Sequence, residues 1–536
     1  MKLTQASLSN ATAWESIGVA LPQFCREAVR KQTLEAPGWV HFGAGNIFRA
    51  FPAAVMQKLL NSGLEKTGII VAEGFDYEII DKANKPFDNL SLLVTLKAGG
   101  ETETTVIGSI VESYKLDTAE AADYAALKAV FENPSLQMAS FTITEKGYSL
   151  VGGDGKTLGG VAKDLADGPA EPVSYMGKVA SLLYARYQAG AAPLAMVSMD
   201  NCSHNGDKLA AAISAFAKSW SEAGLADKGF AGYVCTSGKV SFPWSMIDKI
   251  TPRPDKSVEA ALTAAGLEDM GGTVTSRNTF VAPFVNAEET EYLVIEDVFP
   301  NGRPALDKGG VIFTDRETVD KVEKMKVCTC LNPLHTALAI YGCLLGYESI
   351  SAEMKDAELV GLIKQLGYVE SLPVVVDPGI LSPSEFIDTV INVRLPNPFI
   401  PDTPQRIASD TSQKLSIRFG ETIKAYQARA DLDVQDLRLI NLVQAGWVRY
   451  LLGVNDKGQV FDVSPDPILP AMQKQLAGVT LGQTENLHEA LKPILSDASI
   501  FGVDLYAAGL GDRVEAMLAE LNAGPGAVRA TLKKYI

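Results

Sequence analysis

Short apolar runs and amphipathic stretches alternate along the first three hundred or so residues of this chain. The runs at 39–42, 69–72, 92–96, 104–109, 138–143, 194–198 and 292–295 are strand candidates, and several are apolar almost throughout. Such runs suit parallel strands buried on both faces. Segments 119–131, 175–188 and 206–220 carry apolar residues at helical spacing. Strand–helix alternation with short connections predicts an α/β fold, a doubly wound sheet with helices on both faces. From about residue 319 strand signals become rare. Amphipathic segments at 356–366, 383–392, 411–428, 436–452, 482–496 and 512–522 predict a mainly α-helical second half. The Gly/Pro-rich passage 299–310 reads as an arm between the two halves.

The first apolar run leads into a glycine-spaced turn, Trp-Val-His-Phe-Gly-Ala-Gly-Asn-Ile-Phe-Arg from Trp39 to Arg49, and helix-like sequence follows over 49–60. A strand that enters a helix through such a turn is the dinucleotide-binding arrangement of a Rossmann-type domain. Gly43 allows the tight turn, and Gly45 lets the backbone approach a pyrophosphate. Asn46, Ile47 and Phe48 then offer first-turn N–H groups to its charge. Phe48 stands where a third glycine is usual, so the motif is incomplete. Glu73 ends the second strand candidate, where an acid grips a ribose 2′-hydroxyl and favours NAD over NADP. It lies somewhat further from Gly43 than the usual ~20 residues, and Asp76 is the alternative acid.

Length and charge narrow the field. A chain of 536 residues has room for two domains, read here as 1–318, NAD-binding, and 319–536, helical and carrying substrate and catalytic groups. The net charge of −16 argues against a nucleic-acid backbone or an anionic membrane surface as partner. The N-terminus has no apolar leader core, and no run reaches the ~18 apolar residues of a bilayer span, so a cytoplasmic location is expected. Six cysteines are too few for a disulfide framework in so long a chain. The four histidines, His41, His204, His335 and His488, are scattered, and Cys328-x-Cys330 lacks a second pair, so no metal site is expected. Gly152 to Thr157 only superficially suggests a phosphate loop, because Leu150 stands where that pattern needs glycine. Tyr124-Ala-Ala-Leu-Lys128 spells the Tyr-x-x-x-Lys of short-chain dehydrogenases, but it sits on an ordinary amphipathic helix and the glycine spacing is wrong for that class.

Several later passages hold side chains suited to metal-free hydride transfer. They are 194–201, ending in Asn201; 323–335, with Lys326, Asn332 and His335; 394–398, opening on Arg394; and 406–414. The passages 41–51, 142–148, 197–206, 242–252, 294–304, 323–347 and 393–414 resemble the polyol-specific long-chain dehydrogenase/reductase (mannitol dehydrogenase) family. The order and spacing match over most of the chain, with Lys249 where the family signature usually has Arg. The resemblance implies a Rossmann-type domain, a helical C-terminal domain and an active site between them. It makes Lys326 the catalytic acid/base, Asn201 and Asn332 amide donors, and His335 a partner of substrate hydroxyls. Amide donors suit the alkoxide that builds up as a ketone accepts hydride, and a lysine then supplies the proton. Asp248 and Arg394 are expected to bind substrate, while Arg406, Asp410 and Lys414 form a supporting network. Five residues separate Lys326 from Asn332 where the family usually has four. Asn332 before Pro333 then reads as a helix cap, with a bulge absorbing the extra residue and Lys324 as a lesser candidate base. Residues 326–347 look most like the fructuronate-reducing branch. The expected reaction is therefore D-mannonate with NAD to D-fructuronate; mannitol 2-dehydrogenase, tagaturonate reductase and a non-enzymatic dinucleotide or sugar sensor are the alternatives. The expected partner is a small sugar acid or polyol, and oligomeric state is not legible.

Overall fold

The computed structural model describes all 536 residues and divides them into two compact units. One comprises residues 1–97 and 101–319, the other residues 98–100 and 320–536.

The first unit is built on a six-stranded parallel sheet of β1 (Trp39–Phe42), β2 (Ile69–Glu73), β3 (Ile110–Lys115), β4 (Met138–Phe141), β5 (Leu194–Ser198) and β6 (Val240–Ser241). Their order across the sheet is β3-β2-β1-β4-β5-β6. The chain therefore reverses direction across the sheet between β1 and β4, and ligands of doubly wound folds bind at such a switch point. β1, β2, β4 and β5 are buried along their whole length. Val40, Phe42, Ile70 and Ala72 join the core beneath helices Ala121–Glu132, Tyr175–Gln188 and Asn205–Glu222. Trp39, Ile69, Val71 and Met138 face the other way, onto helix Pro52–Asn61. Alternation along each strand thus feeds two cores, one per face.

Three expectations need correction here. The strand expected at 104–109 runs from Thr102 to Ile107 and lies outside the parallel sheet. Thr102–Ile107 pairs antiparallel with Ser91–Leu96 in a separate sheet, and after Gly108–Ser109 the chain enters β3, which the sequence reading missed. The helix after the glycine turn starts earlier than 49, as Asn46–Ala50. It breaks at Phe51 (φ −126°, ψ −72°) and restarts at Pro52, which has no N–H to continue the first helix. The passage 299–310 is no arm. Its turn Leu306–Gly309 packs on helix Pro52–Asn61, and strand Ile312–Thr314 then pairs with Tyr292–Glu296. Around Gly152–Thr157 the chain makes the expected loop, closed by an antiparallel bridge between Val151 and Thr157.

The second unit is helical. Helices Asn332–Leu345 and Arg438–Leu451 are buried along most of their length, and the Tyr341 hydroxyl joins them by donating to the Leu442 carbonyl (2.7 Å). The helical run Arg316–Leu345, 30 residues long, is apolar enough to cross a membrane, against the expectation from apolar runs alone. Of its most apolar window 78% is buried in the protein, as in a core helix. Only His488–Leu495 of the segment 482–496 is helical. Four stretches, Met325–Cys330, Leu366–Ser371, Val390–Arg394 and Ser416–Gly420, are wound as π-helix. π-turns are rare and recur at functional sites.

Candidate active site

In the first unit the site begins at the glycine turn. Gly43 has φ +105°, and its N–H donates to the Ala72 carbonyl (2.8 Å). A Cβ on Gly43 would lie 2.3 Å from the Thr142 carbonyl oxygen, so no other residue fits. Gly45 is different. A Cβ there would meet nothing within 4 Å, and it borders a cleft of about 650 Å³ shared with Gly43, Glu73, Thr142 and Tyr175. Phe48, in place of the third glycine, lies flat on His41 with ring centroids 3.9 Å apart. Here an aromatic pair, rather than a bare Cα, sets the gap between strand and helix.

His41 is held in a chain of hydrogen bonds with a single consistent direction. Trp39 Nε1 donates to Ser140 Oγ (2.6 Å), so the Ser140 hydrogen goes to His41 Nδ1 (2.6 Å). The ring proton then sits on Nε2 and is donated to Thr142 Oγ1 (2.8 Å), whose hydrogen points to the Gly43 carbonyl. Burial holds the His41 pKa well below the usual imidazole range, so the chain stays neutral.

Glu73 lines the cleft at the end of β2, and its carboxylate already accepts three amide N–H groups. Oε2 takes that of Ala44 (2.8 Å), and Oε1 takes those of Phe75 (2.8 Å) and Asp76 (3.1 Å). Glu73 therefore braces the glycine turn besides bordering the cleft. Burial raises its pKa, and the three amides oppose that. Asp76 is buried and accepts from Thr275 Oγ1 (2.5 Å).

Two features went unnoticed in the sequence. Arg49 is buried, donating to the Ala282 carbonyl (2.8 Å) and to Asn46 Oδ1 (3.0 Å), with no carboxylate beside it. Its charge thus stands behind the turn that would carry the pyrophosphate. Phe75, 62% exposed at the cleft, lies under the Arg277 guanidinium (5.4 Å), a flat surface on which a base could stack. The rival Tyr124 and Lys128 lie elsewhere. Tyr124 donates to the Lys178 carbonyl (3.4 Å), and Lys128 pairs with Glu132 at the surface (3.8 Å).

Asn201 is exposed in the bend after β5. Its neighbour Asp200 ties that bend to the loop after β4, accepting from the N–H of Ile143 (2.9 Å) and Thr144 (2.8 Å) and from the Tyr148 hydroxyl (2.5 Å). Nothing in the spacing of these residues signals this clamp, because its partners lie more than fifty residues apart. Asp248 is buried at the end of strand Ser245–Asp248, opposite Tyr292, and is not part of the cleft lining.

In the second unit Lys326 is buried on the first π-turn. The Leu331 N–H donates to the Lys326 carbonyl (3.1 Å), five residues back. That wider turn houses the extra residue before Asn332. The capping expectation needs correction: Leu331 (φ −127°, ψ −61°) is the cap, and Asn332 is the first helical residue with Pro333 second. Lys324, the lesser candidate base, is exposed in an ion pair with Asp320 (2.7 Å).

His335 follows one turn after Asn332. Its buried Nε2 has no hydrogen-bond partner and lies 3.6 Å from Asp402 Oδ2. Burial pulls the His335 pKa down; Asp402 opposes this, and Arg418, Arg406 and Arg394 reinforce it. The ring is therefore neutral near pH 7. Arg406 pairs with Asp402, Lys414 donates to the Ser409 carbonyl, and Arg394 is buried on its own π-turn. Asp410 adopts φ +52° ahead of the short turn Thr411–Gln413. The structure thus gathers His335, Arg394, Arg406 and Lys414 in one neighbourhood of this unit and adds Arg418, which the sequence reading did not name.

Comparison with known proteins agrees with this geometry. Residues 37–308 match the mannitol dehydrogenase Rossmann domain, and residues 318–522 the mannitol dehydrogenase C-terminal domain. The chain belongs to the mannitol dehydrogenase family. It is 51% identical to a D-mannonate oxidoreductase of Thermotoga maritima, over 100% of this chain and 99% of that protein. Among solved structures, a substrate-free D-sorbitol dehydrogenase superposes with TM-score 0.78 at 25% identity, covering 99% of both chains. Pseudomonas fluorescens mannitol 2-dehydrogenase, solved with NAD and D-mannitol, gives 0.69 at 27% identity, covering 100% of this chain and 99% of that one.

Proposed function

We propose that this protein is an NAD-dependent oxidoreductase that interconverts D-mannonate and D-fructuronate. The observation that carries the reading is the 51% identity to a D-mannonate oxidoreductase from end to end of both chains. The local chemistry supports it. The open space over Gly45, the acid at the end of β2 and the buried charge of Arg49 fit a dinucleotide with unphosphorylated ribose. When bound, the dinucleotide supplies or accepts the hydride.

The chain's own groups manage charge and protons. Lys326 gives its proton to the ketone oxygen in reduction and takes it back in oxidation. The Asn332 amide donates to the oxygen as negative charge develops, and Asn201 keeps the corresponding role that the family resemblance gives it. Neutral His335, with a free Nε2, accepts or donates a hydrogen bond to a substrate hydroxyl. An enzyme of this kind works in the cytoplasm, where its dinucleotide is found.

The test is to follow NADH absorbance with D-fructuronate, D-tagaturonate and D-fructose as acceptors. Preference for fructuronate supports the reading. Preference for fructose would move the protein to the mannitol 2-dehydrogenases, and no turnover with any of them would leave a sensor.

A further inference from the structure

Arginines buried for structural reasons in this protein spend their donors on backbone carbonyls. Arg186 shows the pattern, donating to the carbonyls of Phe131, Asn133, Leu136, Ala192 and Pro193. Arg26 behaves similarly, donating to the carbonyls of Asp88, Gly108 and Ile110.

Arg418 does not follow it. This arginine sits on the π-turn Ser416–Gly420, which packs against the π-turn bearing Lys326. Its one hydrogen bond within the protein runs from Nη1 to the Thr336 hydroxyl oxygen. Thr336 passes its own hydrogen to the Asn332 carbonyl (2.8 Å), so Arg418 is linked through one hydroxyl to the turn carrying Asn332 and His335. No carboxylate pairs with Arg418, and its partial burial lowers its pKa to about 10. The neighbouring cations differ: Arg406 has Asp402, Lys414 has the Ser409 carbonyl, and Arg394 is engaged. Arg418 is half-buried, and a partly desolvated guanidinium without an anion is stabilised when a ligand brings one.

We propose that Arg418 is the residue that recognises the substrate's carboxylate, and that it makes this family member prefer a keto sugar acid to a neutral ketose. The inference rests on the fructuronate reading above and assigns its specificity to one side chain. The guanidinium presents parallel N–H groups to a carboxylate, a geometry that a lysine cannot copy. Thr336 fixes one edge of the fork and leaves the rest for the ligand. The free Nε2 of His335 stands beside it for a hydroxyl of the same molecule. A neutral polyol would leave the charge uncompensated, so Arg418 both attracts the acid and disfavours its neutral analogue.

The experiment measures kcat/KM for D-fructuronate and D-fructose, with NADH, in the wild type and in Arg418→Gln and Arg418→Lys. The readout is the ratio of the two values, which cancels any general loss of folded enzyme. Arg418→Gln is expected to lower the acid-to-neutral ratio about ten- to a hundredfold, mainly through KM for the acid, as for one charge-assisted interaction lost. Arg418→Lys should recover part of the ratio. Added guanidinium ion should raise fructuronate turnover in Arg418→Gln without raising fructose turnover. A wild type that prefers fructose overturns the fructuronate reading itself. A wild type that prefers fructuronate, with the ratio unchanged in both variants, overturns the role of Arg418 alone.

Discussion

Two alanine substitutions two residues apart should separate stability from cofactor binding. Gly43 adopts φ +105°, and a Cβ on it would lie 2.3 Å from the Thr142 carbonyl oxygen, about 1 Å inside an ordinary contact. Gly43→Ala therefore carries backbone strain of roughly 1–2 kcal/mol. Displacing the backbone that joins β1 to β4 adds roughly 1–3 kcal/mol of overpacking. At roughly 2–4 °C per kcal/mol for a domain of this class, the unfolding midpoint should fall by roughly 5–15 °C. Gly45 is extended (φ −73°, ψ −178°), with nothing within 4 Å of a built Cβ. Gly45→Ala should leave the midpoint unchanged or raise it slightly, because alanine narrows the unfolded ensemble by roughly 0.4–1 kcal/mol. Its methyl group nevertheless enters the space where a pyrophosphate would approach the turn. Losing one or two charge-assisted N–H contacts, roughly 1.5–3 kcal/mol, should weaken NADH binding about ten- to a hundredfold. Differential scanning fluorimetry of the cofactor-free protein and NADH fluorescence titration read the two effects separately. An unchanged NADH affinity in Gly45→Ala would remove the pyrophosphate from this turn, and a large fall in its midpoint would contradict the open space.

Other consequences are equally direct. Lys326→Met should lower kcat on acid and neutral substrates alike, by roughly 10²–10⁴-fold, and equal retention of activity on both would exclude it as the proton donor. With Glu73 at the cleft, kcat/KM should favour NADH over NADPH, and the reverse preference would show that cations such as Arg277 dominate there. On the proposed mechanism, in which Lys326 and amides handle the developing charge, exhaustive chelation should leave activity intact; loss restored by zinc would refute it. Burial raises the pKa of Glu370, which accepts from the N–H groups of Leu439 and Ile440, to about 7, and that of Glu353, whose oxygens have no partner, to about 9. Both bind protons more tightly folded than unfolded, so their contribution to stability is fully present below about pH 4.5, falls as pH rises from there through the folded values, and levels off above them. For Glu353 the loss by pH 7 is on the order of 3 kcal/mol; Glu353→Gln should flatten the midpoint's pH profile, and an unaltered slope would show that the carboxyl does not titrate in the unfolding equilibrium.

What the sequence revealed and what it hid divide along physical lines. Fully apolar strands such as β1 and β5, and the helix Tyr175–Gln188, stand out because burial on both faces or on one stripe writes itself into local composition. β3 was missed because it alternates and follows another strand after only Gly108–Ser109, with no strong turn signal. The glycine turn was legible because backbone geometry demands particular residues. The brace from Glu73 to Ala44, the clamp at Asp200 and the His41 chain were not, since each joins positions tens of residues apart. The extra residue between Lys326 and Asn332 was visible as a count, but only the structure turns it into a π-turn. Three of the four π-turns in the second unit carry a basic residue near the candidate site: Lys326, Arg394 and Arg418. A helix-period scan blurs at each of them, because the side chains after the wider turn are rotated relative to those before it.

The arrangement of charge gives the functional reading its physical consistency. Acids outnumber bases in this chain, 64 to 48, so carboxylates are plentiful as partners for any cation the fold needs to neutralise. Surface lysines and arginines have taken them, as the pairs Lys128–Glu132, Lys324–Asp320 and Arg429–Asp431 show. Against that surplus Arg49, buried, and Arg418, half-buried, each lack a carboxylate partner, and desolvation draws both pKa values down only to about 10, leaving the side chains charged. Arg186 is likewise buried without a carboxylate, but five backbone carbonyls take its donors; no such set compensates Arg49 or Arg418, and stability alone gives no reason to leave them so. A ligand gives one. Arg49 lies behind the turn suited to a pyrophosphate, and Arg418 is one hydroxyl away from the helix carrying Asn332 and His335. On the proposed reading each position is neutralised when the corresponding anionic group binds, so the fold would forgo some stability in the empty protein and recover it as affinity for a doubly anionic pair of ligands.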